Sequence, residues 1–364
     1  MNSIEQLAFP TKIFRGKGAL NDLGLFCKTI GKNAFVFGGK TALVKTKESI
    51  GKSLSEANVQ IAATAWYGGE SSKVNIQTLT QTANQLGVDV LIAVGGGKAL
   101  DTGKLVAAAC NLPLITVPTI AATCAAITPV SVIYTDNGEF EEMVLFDHCP
   151  VATIIDTAVI LESPLRWLAA GMGDTLAKWY EYRVSIQCAP QTGMTLGALA
   201  NGKLCYDLIE RFGGEARQAL EKKEFNAALD AAVDAIILYA GMASILGGEA
   251  IRSAAAHGFY NGLTKIPAAH AAGHGFVVGY GNLFLLALEK RSDQEIGEAM
   301  ALAKRCAVPT TLNEIVTLSE AELQIVAEAI LATPDMTNMP FEVTKEMVLE
   351  AIHRVEQLAR KLKD

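Results

Sequence analysis

The segment VLIAVGGGKALDTGK at residues 90–104 decides the fold of the first half of this chain. Its apolar start, Val90–Val94, predicts a buried strand, and the run Ala99–Ala109 predicts a helix. The glycines between them permit positive φ and close approach of a ligand, and a helix start presents unpaired N–H groups. The segment therefore predicts a turn that binds pyrophosphate, with Lys98 and Asp101 beside it, or else a tight turn that binds nothing.

Strands and helices alternate on both sides of this segment. Apolar runs predict strands at Ala34–Phe37, Leu114–Val117 and Val130–Tyr134, and Asn75–Leu86 predicts a helix. Such alternation is typical of a parallel sheet with helices on both faces. The turn Asp136–Gly138 in addition predicts a hairpin that joins the last of these strands to the residues after it.

The character of the chain changes after Asp156. Ser163-Pro164 predicts the start of a helix, since proline is tolerated in the first helical turn. From there the sequence is rich in Ala, Leu and Glu and contains no strand pattern. We therefore predict an α/β dinucleotide-binding domain at residues 1–160 and an all-α domain at residues 161–364.

Composition excludes several classes of partner. The chain has 364 residues, of which 50% are hydrophobic and 19% charged, so it can bury a large core. Its net charge is −7 and no basic run stands out, which argues against nucleic acid and against an anionic membrane. A small molecule is the expected partner.

The cysteines and the apolar runs indicate a cytoplasmic protein. There are seven cysteines, an odd number without a CxxC pair, so no disulfide framework is expected. The start MNSIEQLAFP lacks the charged and apolar regions of a signal peptide. The longest apolar run, Ala235–Gly248, is shorter than a membrane span and predicts a buried helix.

Two histidines and one aspartate are candidate metal ligands. His257 and His274 both have glycine neighbours, which leave room beside an imidazole, and Asp174 follows Gly171-Met172-Gly173 at an expected helix start. Two imidazoles, one carboxylate and an open position suit a catalytic zinc or ferrous ion. The alternative is that both histidines are structural and that Asp174 is a helix N-cap.

Joined in order, four motifs resemble the iron-containing alcohol dehydrogenase superfamily, and within it the glycerol dehydrogenase branch. The motifs are VGGGKALDTGK at 94–104, VPTIAATCAAITPVSVIYT at 117–135, GMGDTLAKWYE at 171–181 and AAAHGFYNGLT at 254–264, with GHG following at 273–275. The resemblance implies an α/β domain that binds NAD(H) or NADP(H), a helical domain, a divalent metal and a homo-oligomer. Zinc is usual in the glycerol dehydrogenase branch, and iron occurs elsewhere in the family.

The resemblance also implies roles for single residues. Asp174, His257 and His274 take the positions of the catalytic metal ligands. The expected cofactor contacts lie after the first strand of the α/β domain, in the glycine turn and in the second motif: Gly39, Lys40, Gly96, Gly97, Lys98, Asp101, Thr119, Thr123, Thr128, Val130 and Tyr134.

Three positions depart from the family pattern. Cys124 stands where glycerol dehydrogenases commonly have an aspartate that meets substrate hydroxyls, and Tyr260 stands where relatives often have a histidine. We expect both residues to meet substrate. NAD-preferring members also place an acidic residue after strand Ala34–Phe37, where this chain has Gly38-Gly39-Lys40, so a 2′-phosphate is not repelled and NADP(H) is expected.

These departures leave more than one activity open. The chain is expected to interconvert CH–OH and C=O in a small polyol or 2-hydroxy acid. Because TIAATCAA and GDTLAKWYE also resemble a subgroup of hydroxycarboxylate dehydrogenases, NADPH-dependent reduction of 2-oxo acids is the alternative. A lyase of the dehydroquinate synthase type, which shares the architecture, is a more remote one, since few Arg and Lys residues lie near these motifs.

Overall fold

The computed structural model describes residues 7–362 and divides the chain into two compact units. The first unit ends at Ser163 and also includes Lys223–Phe225. The second consists of Pro164–Lys222 and the chain from Asn226 onward. The prediction that the chain starts without a signal peptide rests on residues 1–10, of which residues 1–6 lie outside the described part.

The first unit contains a six-stranded, fully parallel sheet of order β1-β8-β5-β4-β2-β3. Its strands are β1 (Ile13–Gly16), β2 (Asn33–Gly38), β3 (Gln60–Trp66), β4 (Val90–Gly95), β5 (Leu114–Pro118) and β8 (Ala152–Asp156). Its helices are α1 (Leu23–Cys27), α2 (Lys40–Glu56), α3 (Lys73–Leu86), α4 (Gly97–Cys110) and α5 (Thr157–Leu161). The predicted α/β architecture is therefore confirmed.

Burial on both faces explains why the central strands are nearly all apolar. Every residue of β4 and β5 is buried, and so are the last five of β2. One face packs against α1 and α2, where Leu23, Ile50 and Leu54 are at most 3% exposed. The sheet therefore has a continuous apolar core, which holds the strand ends of the candidate cofactor site in fixed register.

The segment Val130–Tyr134 does not join this sheet. It forms β6 and pairs with β7 (Phe140–Leu145) in a separate antiparallel hairpin. The predicted turn at Asp136–Gly138 is thus present, but the expectation that Val130–Tyr134 belongs to the parallel sheet is wrong. No helix lies between β5 and β6 to provide the crossover that a parallel neighbour needs.

All regular secondary structure in the described residues of the second unit is helical, as expected. Its helices are α6 (Leu165–Ser185), α7 (Gly193–Lys222), α8 (Ala227–Asp234), α9 (Ala240–Gly247), α10 (Ala255–Leu263), α11 (His274–Leu288), α12 (Asp293–Arg305), α13 (Glu320–Leu331) and α14 (Lys345–Lys361). Most residues of α6 and α11 are buried, and Tyr280 and Phe284 of α11 are fully buried in the core of the unit. These two helices position the candidate metal centre.

Among the described residues, one helical stretch, Ala227–Gly247, is long and apolar enough to match a membrane span by length and composition alone. It consists of α8, a π-helical turn at Ala235–Tyr239, and α9. In its most apolar window 56% of the residues are buried inside the protein, as in the core helix of a soluble protein. The predicted buried helix at Ala235–Gly248 overlaps this stretch, which ends one residue earlier, at Gly247.

Candidate functional site

Asp174 lies in the middle of α6 rather than at a helix start. The glycines before it were expected to precede the helix, but they lie inside it. Gly173 is needed for packing, because a Cβ there would lie 2.6 Å from the carbonyl oxygen of Gly275 on α11. The N-cap alternative for Asp174 is therefore wrong. Asp174 is only 8% exposed, and burial of its carboxylate is costly unless a cation or hydrogen-bond donors compensate the charge.

The two histidines lie in the first turns of neighbouring helices. His257 is the third residue of α10, and His274 is the first residue of α11. Gly273, directly before His274, has a φ of 87°, a backbone conformation that favours glycine. This glycine lets the chain turn sharply into α11 with the imidazole at the helix start.

The structure brings the three predicted ligands together. Oδ1 of Asp174 lies 3.6 Å from Nε2 of His257 and 3.4 Å from Nε2 of His274. One ligand atom from each residue lies within 4.8 Å of the others. Oδ1 of Asp174 is buried and has no hydrogen-bond partner of acceptable geometry. A buried, unsatisfied carboxylate oxygen between two imidazole nitrogens is the donor set that a divalent cation fits.

Burial and charge act in opposite directions on the pKa values at this site. Burial raises the pKa of Asp174, but the close contacts with His257 and His274 and the charges of His274 and Lys178 hold it well below its usual value. Burial lowers the pKa of His257, but the carboxylates of Glu181 and Asp174 raise it to about 10. The site is therefore a place where positive charge is strongly stabilised.

Glu181 is a functional candidate that the sequence did not reveal. It lies on α6 and is fully buried, and its Oε2 is 2.6 Å from Nδ1 of His257. Its Oε1 accepts hydrogen bonds from the backbone N–H groups of Ala254 and His257, at 2.8 and 2.9 Å. The spacing of seven residues places Asp174 and Glu181 on one face of a helix, but it does not show that Glu181 meets His257.

Lys178 and Tyr260 complete the surroundings of the three ligands. Lys178 follows Asp174 by one helical turn, is only 6% exposed, and helps to lower the pKa of Asp174. The ring of Tyr260 meets the ring of His274 edge-on, with centroids 4.3 Å apart. Tyr260 therefore lies beside a candidate ligand, where the sequence placed a substrate contact.

In the first unit, the glycine turn lies where the sheet changes direction. The chain runs from β2 outward to β3 and then returns to β4 on the other side of β2. In open α/β sheets such a switch point, at the carboxyl ends of the strands, is where ligands bind. A Cβ at Gly38 would lie 1.9 Å from the carbonyl oxygen of Val94, so these two strand ends approach each other closely.

Helix α4 starts directly from this turn, with Gly96 as its N-cap and Gly97 as its first residue. Because Gly96 has no side chain, it makes no side-chain cap, and the first turn of the helix keeps its N–H groups for other acceptors. Lys98 follows, with its ammonium 2.6 Å from Glu70 and 5.1 Å from the ring centre of Tyr134. This uncapped helix start fits a diphosphate.

The loop between β5 and β6 contains the other predicted cofactor residues. Its start is fixed where the N–H of Thr119 donates to the carbonyl of Gly95 at 3.1 Å. Thr123 lies beside the glycine turn, since a Cβ at Gly97 would be 3.2 Å from its Oγ1. Cys124 is half-buried in the same loop, where it was expected to meet substrate.

A buried lysine holds the end of this loop. Nζ of Lys104 donates to the carbonyls of Ala125, Thr128 and Val130, and it lies 2.9 Å from Oδ1 of Asp101. Oδ2 of Asp101 accepts from the N–H of Val132 at 3.2 Å. Burial nevertheless raises the pKa of Asp101. The carboxylate of Asp101, which was predicted to lie beside a diphosphate, thus binds the Lys104 ammonium and the N–H of Val132.

Gly39 and Lys40 lie at the end of β2. The N–H of Gly39 donates to the carbonyl of Val94 at 3.1 Å, and Lys40 is the first residue of α2. The register pairs Gly38 with Trp66 at the end of β3. The Lys40 ammonium lies over the Trp66 ring, 4.1 Å from its centre, so a cation stands at the position where an acidic residue was expected in NAD-preferring relatives.

Comparison with known proteins agrees with this architecture. A model of the iron-containing alcohol dehydrogenase family matches residues 10–157. Glycerol dehydrogenase of Pseudomonas putida is 35% identical over 358 residues, covering 96% of this chain and 97% of the relative. Hydroxycarboxylate dehydrogenase A of Escherichia coli K12 is 32% identical, covering 98% of both chains.

A solved structure gives the same result for the fold. The crystal structure of glycerol dehydrogenase from Schizosaccharomyces pombe superposes with a TM-score of 0.88 at 29% identity, covering 99% of this chain and 92% of that one. Together, the family model, the full-length relatives and the shared fold leave no ambiguity about lineage. This chain belongs to the iron-containing alcohol dehydrogenase family, in its glycerol dehydrogenase-like branch, and is an oxidoreductase that acts on alcohols.

Proposed function

We propose that this enzyme is a metal-dependent, nicotinamide-linked dehydrogenase that interconverts CH–OH and C=O in a small polyol or vicinal diol. The observation that carries the proposal is the convergence of Asp174, His257 and His274, with a buried carboxylate oxygen between two imidazole nitrogens. The glycerol dehydrogenases to which the chain is similar support the choice of substrate class. The similarity to glycerol dehydrogenase and to hydroxycarboxylate dehydrogenase A disfavours the lyase alternative.

Asp174, His257 and His274 are proposed to hold one divalent cation. Two nitrogens and one oxygen suit zinc, and ferrous iron is the alternative within the same donor set. When bound, such an ion supplies the Lewis acidity that stabilises a substrate alkoxide near neutral pH. The residues contribute a fixed geometry, since each is in a helix and Asp174 and His257 are largely buried.

The glycine turn and the loop after β5 are proposed to hold the dinucleotide. The diphosphate would meet the N–H groups at the start of α4, from Gly96 and Gly97, and one of the three donors of the half-exposed Lys98 ammonium. Thr119, Thr123, Thr128, Val130 and Tyr134 would line the nicotinamide half. When bound, the nicotinamide supplies the hydride acceptor or donor. Asp101 and Lys104 are proposed to keep this loop in place.

NADP(H) is the proposed preferred cofactor. The end of β2 carries Gly38 and Gly39 and no carboxylate that would repel a 2′-phosphate. The Lys40 ammonium is held over the Trp66 ring at the same sheet edge, where it can pair with such a phosphate. A kinetic comparison with clearly higher kcat/KM for NADH than for NADPH would refute this preference.

A second candidate function, reduction of 2-oxo acids, is favoured by two specific positions. Cys124 cannot accept a pair of polyol hydrogen bonds as an aspartate can, and it does not repel an anion. Lys178, a buried residue one helical turn after Asp174, carries a positive charge that acts on the Asp174 carboxylate and can attract a substrate carboxylate in the same way. The similarity to hydroxycarboxylate dehydrogenase A is consistent with this alternative.

One activity panel separates the two functions. The zinc-loaded enzyme is assayed with glycerol, 1,2-propanediol, dihydroxyacetone, 2-oxobutyrate and 2-oxoglutarate, each with both nicotinamide cofactors, while absorbance of the reduced cofactor is followed. Oxidation of a diol, lost on chelation and restored by zinc, is the expected result. Turnover of 2-oxo acids alone would establish the second candidate, and turnover of none of these compounds would overturn both.

We further propose a cytoplasmic homo-oligomer. All seven cysteines are outside disulfides, which suits a reducing compartment. Light scattering on the purified enzyme measures its mass directly, and a mass of 38.6 kDa would identify a monomer and refute the oligomer.

A further inference from the structure

We propose that Glu181 is a positioning residue for the metal centre: it orients His257 so that Nε2 faces Asp174. This inference rests on the proposed metal centre, and it concerns a side chain that contacts neither substrate nor cofactor. Its basis is that one buried carboxylate contacts both the ring and the backbone of His257.

The first contact sets the ring. Oε2 of Glu181 lies 2.6 Å from Nδ1 of His257, which leaves Nε2 as the nitrogen that lies 3.6 Å from Oδ1 of Asp174. A carboxylate accepts hydrogen bonds only, so Nδ1 must carry a proton. With that proton on Nδ1, the lone pair of Nε2 is available to a cation. Such carboxylate–histidine pairs are a common means of fixing the orientation and tautomer of a metal-binding imidazole.

The second set of contacts fixes the helix on which the ring is mounted. Helix α10 has Ala254 at its N-cap, and alanine has no oxygen to cap the first turn. Oε1 of Glu181 accepts from the N–H of Ala254 at 2.8 Å and from the N–H of His257 at 2.9 Å. Glu181, from a different helix, thus takes the role of the missing cap and ties the start of α10 to α6.

Both carboxylate oxygens are therefore used, for three N–H donors in all. Glu181 is fully buried, so none of these donors has water as an alternative partner. The same helix face carries Asp174 two turns earlier. A single rigid helix thus provides one candidate ligand directly and the orientation of a second through Glu181, which keeps their separation constant.

The substitution Glu181→Gln tests this with a minimal change of shape. An amide has one acceptor oxygen. If that oxygen accepts the two backbone N–H groups, the NH2 group faces Nδ1 of His257 and favours the tautomer with the proton on Nε2, which cannot bind a cation. Glu356→Gln is the matched control. Oε1 of Glu356 on α14 also accepts one backbone N–H, from Leu312, and one side-chain donor, from Tyr280, which lies six residues after His274 on α11.

The measurement is zinc affinity of the full-length, metal-stripped chains, by competition with a chromophoric chelator. We expect Glu181→Gln to weaken zinc binding by about 10- to 100-fold, as for other partners of metal-binding histidines, and Glu356→Gln to leave it unchanged. If Glu181→Gln lowers thermal stability while zinc affinity stays at the wild-type level, Glu181 is only structural and the proposal is overturned. If the wild type itself binds no zinc, the proposed metal centre fails instead.

A second measurement needs no variant and so does not depend on whether Glu181→Gln folds. In the zinc-loaded wild type, labelled with ¹⁵N-histidine, the proposal requires a protonated Nδ1 and a zinc-bound Nε2 at His257. The chain has five histidines, so His257→Ala assigns the signals. Zinc bound through Nδ1 of His257 would contradict the proposed orientation.

Discussion

A Cβ on Gly275 of α11 would lie only 2.1 Å from the carbonyl oxygen of Ala170 on α6, too close for any side chain to fit. The two helices therefore cross at backbone contact distance. Gly275 directly follows His274, and Ala170 precedes Asp174 by one helical turn. The close crossing is the reason that these two candidate ligands meet.

Gly275→Ala should force the helices apart. We expect a loss of about 1–3 kcal/mol in the free energy of unfolding and weaker zinc binding, because the Ala170 carbonyl is backbone and cannot move aside alone. Gly297→Ala is the control, because a Cβ on this helical glycine of α12 would have its nearest atom, Leu362 Cδ1, at 3.8 Å. It should stabilise the protein by about 1 kcal/mol. If urea titrations showed that Gly275→Ala and Gly297→Ala raise the free energy of unfolding equally, the close crossing would be contradicted.

Removing either imidazole should abolish metal binding, but with different effects on the fold. We expect His257→Ala and His274→Ala each to lose more than about a hundredfold in zinc affinity and in activity. His274 has 36% of its side chain exposed, so its removal should hardly change the stability of the metal-free protein. His257→Ala leaves the buried Glu181 without its charged partner and should cost about 3 kcal/mol.

Zinc content, activity and urea unfolding are measured on the same preparations of both variants. A His274→Ala protein that retains full zinc content and full activity would refute the three-residue centre.

The buried pair of Lys104 and Asp101 should support the loop after β5. Lys104→Met removes donors from three carbonyls and leaves Asp101 buried without its cation, so we expect a loss of about 3–5 kcal/mol in stability and weaker cofactor binding. The double variant with Asp101→Asn removes the unpaired charge and should recover part of the stability. Thermal unfolding and fluorescence titration with the cofactor check this, and an undiminished stability of Lys104→Met would contradict it.

Lys40 should determine the preference for a 2′-phosphate. Lys40→Ala removes the cation held over Trp66 and should raise the KM for NADPH by about tenfold while leaving that for NADH unchanged, since one charge-assisted hydrogen bond contributes about 1.5 kcal/mol. Lys45→Ala, also exposed on α2, is the control and should change neither constant. Equal effects of Lys40→Ala on both cofactors would indicate a general loss of binding rather than recognition of the phosphate.

Much of the fold was predictable because its signals are local. The strand–glycine–helix pattern at residues 90–104 and the turn Asp136–Gly138 each depend on neighbouring residues only, and both were predicted correctly. Strands β1, β3 and β8 were not predicted. β1 has only four residues, and its partner in the sheet, β8, lies far from it in the chain. β3 is an edge strand with a mixed pattern of burial.

The sequence by itself determined which residue types are available to build the site. These are three candidate metal ligands, a glycine turn, and Gly-Lys rather than an acidic residue directly after β2. Only the tertiary structure decided which of them meet, because residues 174, 257 and 274 are brought together by the packing of three helices. The tertiary structure also placed Asp174 inside a helix, paired Asp101 with Lys104, and paired Glu181 with His257. Such contacts depend on long-range packing and burial, and neither leaves a reliable trace in the order of neighbouring residues.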